Sequence, residues 1–320
     1  MFLCQTEVVH VATLNLKDSN NVKLFLSAKQ EREIKSLYTR AHYKLSQEIQ
    51  SMSLPKTTVS DRLREMYLDQ LRKSLESTIA SMYSKLLGTM QNNMFQVSQA
   101  VVSDMRLWLD SIGYPQEGAF EYIPEDVVQL IMTGQIYEGK WSLSKAVWKN
   151  RQKTLKDVST VISEGLILNK STYDIAKDIE RYIDPKDIKD WDWNKVYPGT
   201  AKRVDYNAQR LARTLIQHSY QQSIVLTTKD NPFVEGVQWI SAFAHGRTCE
   251  LCKERATEDK FGLGAGVFPK NRLPLDHPNG LCSFGAKIDS MDDIVDRLAD
   301  WASGKPDKAL DKFDKSLHRK

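Results

Sequence analysis

Between Thr57 and Asp110 apolar residues recur at 68, 71, 75, 79, 82, 86, 90, 94, 97, 101, 105 and 108, with no proline and one glycine, Gly88. Steps of three and four predict a single long helix. The mean step lies near the ~3.6 residues of a straight helix rather than the ~3.5 of a supercoil, so the stripe is expected to seat against other helices. Thr58 and Asp61 supply a capping-box start, and Gly113 with Pro115 supplies the stop. An earlier stretch, "AKQEREIKSLYTRAHYKLSQEIQSM" (28–52), has the same period and is expected to pair with it antiparallel across "SLPKT". The first ~110 residues then form a helical hairpin whose apolar stripe needs a further surface, from this chain or a partner.

Shorter helices are expected over Pro124–Met132 and Ser144–Ile162, and from the box at Ser171 to Tyr182. The stretch "DPKDIKDWDWNKVYPGT" breaks the pattern with two prolines and with Trp191, Trp193 and Tyr197, as a loop sealed onto its own core or docked on a partner. From Gly199 to Asn231 one more helix is expected, with Val204, Ala208, Leu211, Leu215, His218, Gln222 and Val225 on one stripe. His218 falls on the buried side, where a hydrogen-bonded core histidine is commoner than a ligand or base. Lys202, Arg203, Arg210 and Arg213 lie elsewhere on it, as candidate phosphate contacts or as a solvated basic face.

Beyond this helix the period changes. "EGVQWIS" alternates like a strand, "GAGVFPK" and "CSFGAKI" are short and strand-like, and Gly and Pro punctuate the intervals, so 232–289 is expected to be β-rich. The fold class is therefore α+β: long N-terminal helices in a hairpin or bundle, followed by a small β-rich domain, which the set Cys249, Cys252, His277 and Cys282 marks as an expected zinc knuckle. The expected parts are a helical region 1–120, a short-helix segment with the aromatic loop 121–198, an α+β domain 199–290 with a Cys/His metal site, and a charged tail or loose helix 291–320.

The chain of 320 residues is 41% hydrophobic and 27% charged, enough to bury a core. A net charge of +4 is too small to argue nucleic-acid binding from bulk charge. The opening "MFLCQTEVVHVATLNL" has no basic n-region and carries Glu7, so it is not read as a signal peptide. The longest uncharged run, 86–103, holds too many Gln, Asn and Ser for hydrocarbon, so no membrane span is expected. Four cysteines, three inside one short window, suit a thiol-reducing compartment better than a disulfide framework.

Those three are Cys249, Cys252 and Cys282, with His277 between the pair and the last. Three thiolates and one imidazole make a closed tetrahedral Zn2+ set, and a small loop-rich unit needs such a staple. A redox pair would use only Cys249 and Cys252 and expects a βαβ context, leaving His277 and Cys282 unexplained. Catalytic zinc needs an open position and a base; His245, Glu250, Glu254, Glu258, Asp259 and Asp276 are the nearby candidates, but four ligands leave no vacancy. Asp276-His277 is similar to the Asp-His step of His-Asn-His nucleases, yet the next histidine, His318, lies in the charged tail.

"EGLILNKSTYDIAKDI", "ARTLIQHSYQQS", "GVQWISAFAHGRTCELC" and "LPLDHPNGLCSFGAKI", in that order, resemble the minor head protein family of tailed bacteriophages, the Mu F-like group. The resemblance covers roughly 141–289. The family commonly closes its motif as His-Pro-Asn-Cys-Arg-Cys, whereas this chain has Gly280 and Leu281 before Cys282. The resemblance implies a non-enzymatic virion component inside the head near the portal, assembled in the host cytoplasm and acting in head morphogenesis and DNA delivery. Implied partners are the portal protein, scaffold and major capsid proteins, and packaged double-stranded DNA, bound without sequence preference through 202–213 and 305–320. Two other classes compete: a zinc-containing toxin or hydrolase, and a zinc-ribbon nucleic-acid binder. The last expects aromatics interleaved with basic residues, and 245–284 holds only Phe261, Phe268 and Phe284.

Overall fold

The computed structural model describes residues 13–14, 16–51, 61–140, 142–167, 174, 177–178, 206–241, 248–278 and 280–317. The two long helices are α1 (Lys17–Ser51) and α2 (Asp61–Ser111). They run antiparallel: the Ser19 amide donates to Asp104 Oδ2 at 2.9 Å, the Tyr38 and Tyr83 hydroxyls meet at 2.9 Å, and Ser74 hydrogen-bonds Glu48. The expected stripe is buried from Leu75 through Ile79, Met82, Leu86, Met90, Met94, Val97, Val101 and Met105 to Trp108. Gly113 ends α2 in the left-handed region (φ 73°), where a side chain is strained, and the Tyr114 amide closes the turn on the Leu109 carbonyl at 2.9 Å. α1 begins well ahead of Ala28, because its first turns are fixed by long-range partners such as Asp104 and not by a local apolar period.

Next come α3 (Ile123–Thr133), a 3-10 turn (Gln135–Tyr137) and α4 (Leu143–Ile167). Tyr83 also meets Thr154 of α4 at 2.8 Å, so three hydroxyls satisfy one another in an apolar interior. Thr58, the "SLPKT" connection, most of the expected 171–182 helix and the aromatic loop with Trp191, Trp193 and Tyr197 lie outside the described residues. α5 (Tyr206–Thr228) is buried at every position from 214 to 221, more completely than one apolar stripe requires.

Four strands, β1 (Thr13–Leu14), β2 (Val234–Ile240), β3 (Val267–Phe268) and β4 (Ser283–Ile288), form one antiparallel sheet in the order β1-β4-β2-β3. The fold is thus α+β. Trp239 of β2 anchors the sheet's covered face, edge-on to Phe284 at 5.0 Å and against Phe268 at 6.2 Å. α6 (Glu250–Thr257) lies between β2 and β3, where the sequence pattern gave no helix. Only Cys252 of its eight residues is buried, so it carries too few apolar positions to show a period.

The segment expected as a charged tail or loose helix forms two helices that pack through buried apolar side chains. α7 (Met291–Ala302) and α8 (Lys308–Leu317) are amphipathic, and Leu310, Phe313 and Leu317 are buried. Phe313 packs on Tyr114 and Phe120, Trp301 stacks on Tyr114, and the Phe120 amide donates to the Leu317 carbonyl. The charges mislead because they occupy the outer faces, while three apolar side chains at helical spacing decide the docking.

The chain divides into two compact units: residues 1–26, 94–129 and 214–320 form one, and 27–93 with 130–213 the other. The β-rich region is therefore built together with β1, the first turns of α1 and the end of α2. Among the described residues no helix is long and apolar enough to cross a membrane.

Candidate metal centre

The three cysteines and His277 come from three places in the sheet unit. Cys249 caps the N-terminus of α6, and Cys252 sits one turn in, with its amide on the Cys249 carbonyl at 3.1 Å. His277 lies in the loop after β3, and Cys282 directly precedes β4. Their donor atoms fall into two sets that share Cys252: Cys249, Cys252 and His277, and Cys252, Asp276 and Cys282, with all atoms of each set within 4.8 Å of one another. Thiolates on one tetrahedral Zn2+ lie ~3.8 Å apart, given Zn–S bonds of ~2.3 Å. These residues lie close enough to hold a metal ion. All three cysteines are thiols; Cys252 and Cys282 are buried and Cys249 is exposed.

Asp276 and His277 compete for one place in this set, and hydrogen bonding separates them. Asp276 accepts from the His277 amide at Oδ1 (2.8 Å) and from Gln217 Nε2 at Oδ2 (2.9 Å), so both its oxygens are engaged. With its proton on Nδ1, His277 donates to the Pro278 carbonyl at 3.1 Å, which leaves Nε2 as the lone-pair nitrogen. His277 therefore suits a ligand, and Asp276 suits a support.

Electrostatics at the thiols fit a cation. The Cys252 amide beside Cys249 pulls that thiol below its usual range, aided by its position at a helix N-terminus. Burial pushes the Cys252 thiol well up, and hydrogen bonding with the thiols of Cys249 and Cys282 adds to it. Burial works against a charge on His277, but the Pro278 carbonyl, Asp276 and Cys249 outweigh it and hold the imidazole above its usual range. Crowded acids that hold one another's protons are what a coordinated cation resolves, since a coordinating thiol is deprotonated outright.

The support comes mainly from α5. Gln217 Nε2 also donates to the Cys282 carbonyl at 2.7 Å. Gln221 takes the Asp276 amide at 2.9 Å and donates to the Pro274 carbonyl at 2.6 Å, and His218 Nε2 lies 3.0 Å from the Asp276 carbonyl. Burial pushes His218 below its usual range, which suits the hydrogen-bonded core histidine expected from the sequence. Gly280 is required here: a Cβ would overlap the Asp276 carboxylate. Arg255 of α6 stacks 4.7 Å over Trp239 and donates to the Leu275 carbonyl at 3.2 Å, tying the helix to the same loop.

The remaining candidates are placed elsewhere. Glu250 pairs with Lys253, Glu254 and Glu258 with Lys260, and Asp259 accepts from the Leu263 amide. His245, Lys202 and Arg203 lie outside the described residues. Arg213 faces Glu31 at 3.5 Å, and Arg210 is exposed. Lys305, between α7 and α8, pairs with Asp300, and Lys312 of α8 with Asp230.

Sequence reasoning missed Lys23, Gln217 and Gln221. Lys23 of α1 is 1% exposed, and its Nζ donates to the Cys282 carbonyl at 2.7 Å and the Leu281 carbonyl at 3.3 Å, 4.6 Å over the Tyr220 ring. Burial holds its ammonium down at about 8, with Cys282 and Asp276 pulling the other way. The two glutamines left one signal, polar side chains on a helix that must bury nearly every face; Lys23 left none.

No protein-family model, no curated protein and no solved structure matches the chain.

Proposed function

We propose that this chain is an architectural protein of the tailed-phage minor head type, and that Cys249, Cys252, His277 and Cys282 hold one Zn2+ that fastens its sheet unit. The observation that carries the metal reading is the gathering of three thiols and one imidazole, from α6, the His-Pro loop and the start of β4, around the shared Cys252. Four protein donors fill a tetrahedral shell, which leaves no coordination position for a substrate, so the metal acts on folding rather than turnover. The minor-head reading rests on the sequence resemblance; two of the stretches that carry it meet in the fold, where Gln217, His218 and Gln221 of "ARTLIQHSYQQS" each bond the loop of "LPLDHPNGLCSFGAKI". Co-expression with the portal and scaffold proteins of the same genome tests the role: retention of this chain with the portal through purification is the expected result, and failure to co-purify at any salt opposes it.

A redox pair is the second reading, and one observation favours it. Cys249 opens a helix with its thiol pulled down, while Cys252 behind it is buried and pushed up, the asymmetry of a dithiol that exchanges disulfides. The antiparallel sheet and the presence of His277 and Cys282 at the same place favour the metal. A Cys249–Cys252 disulfide forming in a glutathione buffer, in protein that binds no zinc, would reverse that order.

A further inference from the structure

The Lys23 side chain is buried in the sheet unit, and the acceptors of its ammonium are the carbonyls of Leu281 and Cys282 and the face of Tyr220. A buried ammonium among neutral acceptors is unfavourable unless negative charge lies close by. Three thiolates around one divalent ion carry a net single negative charge, which is equally unfavourable inside a protein without a counter-charge. Lys23 reaches the centre through the backbone of the last ligand, and Gln217 holds the same Cys282 carbonyl from the other side.

We infer that Lys23 is the counter-ion and positioning residue of the three-thiolate centre, contributed by the N-terminal helix to ligands more than 220 residues away in sequence. This inference rests on the metal reading. Its ammonium offsets the charge of the loaded site, and its two hydrogen bonds fix the backbone that presents the Cys282 sulfur. A metal centre of this kind is not a detachable knuckle, because its outer shell is shared with α1 and α5. Asp276 is the other negative group near Lys23, so a simple Lys23–Asp276 pairing is the rival explanation.

The test is a zinc titration of the full chain in competition with a chromophoric chelator, for the wild type, Lys23→Gln, Lys23→Arg and Lys23→Gln combined with Asp276→Asn. Lys23→Gln keeps a hydrogen-bond donor and removes the charge, and its zinc affinity is expected to fall about tenfold to a hundredfold, the usual effect of losing an outer-shell partner. Lys23→Arg keeps the charge and is expected to stay within about threefold of the wild type. A purely structural lysine would lower the stability of loaded and chelated protein alike and leave the affinity unchanged, which overturns the inference, as does restoration of affinity by the added Asp276→Asn. If Lys23→Gln does not fold, Lys23→Arg decides: retained affinity supports the counter-ion and lost affinity overturns it. A wild-type chain that takes up no zinc overturns the metal reading itself, a result distinct from an unaffected Lys23→Gln variant.

Discussion

Gln217 and Asp276 are joined by a buried hydrogen bond of 2.9 Å between α5 and the His-Pro loop, and the same Gln217 nitrogen reaches the Cys282 carbonyl at 2.7 Å. One amide group thereby sets the loop that carries His277 and the backbone that carries Cys282. Replacing Gln217 with Leu leaves a carboxylate oxygen and a carbonyl without this donor in a buried site. A loss of about 2–3 kcal/mol is expected in urea unfolding, because the bond is made to a charged group. A change within about 0.5 kcal/mol, the range of an ordinary surface substitution, would show that the network does not hold the loop.

Gly280 makes a sharper steric test. A Cβ at this position overlaps the Asp276 carboxylate, and Asp276 is fixed on both oxygens. Gly280→Ala is expected to cost about 1–3 kcal/mol by overpacking and to weaken metal retention along with stability. Wild-type melting and metal content in this variant would mean that the loop accommodates the methyl group freely.

Away from the candidate metal centre, Tyr83 links two helices through Tyr38 and Thr154. Tyr83→Phe keeps the ring and removes the shared hydroxyl, so about 1 kcal/mol or somewhat more is expected from two partners losing one bond each. Equilibrium unfolding reads this directly, and an unchanged midpoint would count against the chain of hydroxyls.

Asp307 supplies a pH test. Its carboxylate caps α8 through the amides of Ala309 and Leu310 and takes a forked bond from Arg297. The Arg297 guanidinium, with those amides, holds it down from 3.8 to about 2. A carboxyl depressed in the folded state stabilises fully above its unfolded value, and the contribution disappears as pH falls from 3.8 toward about 2. At neutral pH Asp307→Ala is expected to cost about 1 kcal/mol as a lost cap, with the partly exposed ion pair adding little. The gap between wild type and variant should narrow across that acid window and nowhere above it; a gap constant from pH 7 to 2.5 would contradict the ionised cap.

Much of the helical part could be read locally. The α2 stripe is a run of short-range steps, so its buried face from Leu75 to Trp108 was legible, as was the stop at Gly113. β2 was legible from alternation, and β3 and β4 as short strand-like stretches punctuated by Gly and Pro. α6 was not, since a helix that buries only Cys252 and stacks Arg255 on Trp239 needs no apolar period. β1 was not, since two residues pairing with Ala286 and Lys287 leave no local pattern. Cys249, Cys252, His277 and Cys282 were visible as candidate ligands by residue type and spacing, and the fold brings them close enough to bind a metal; Asp276, which shares the place, was legible only as a candidate base. Lys23 was invisible because its role depends on contacts 258 and 259 residues away.

On the proposed function, one zinc ion joins Cys249, Cys252, His277 and Cys282 as a closed architectural site. Zinc-edge X-ray absorption on the full chain, purified without added chelator, measures this most directly. The expected spectrum is one zinc per chain with three sulfurs at ~2.3 Å and one nitrogen at ~2.0 Å. Protein without zinc, or a shell with two or fewer sulfurs and exchangeable oxygens, would contradict it.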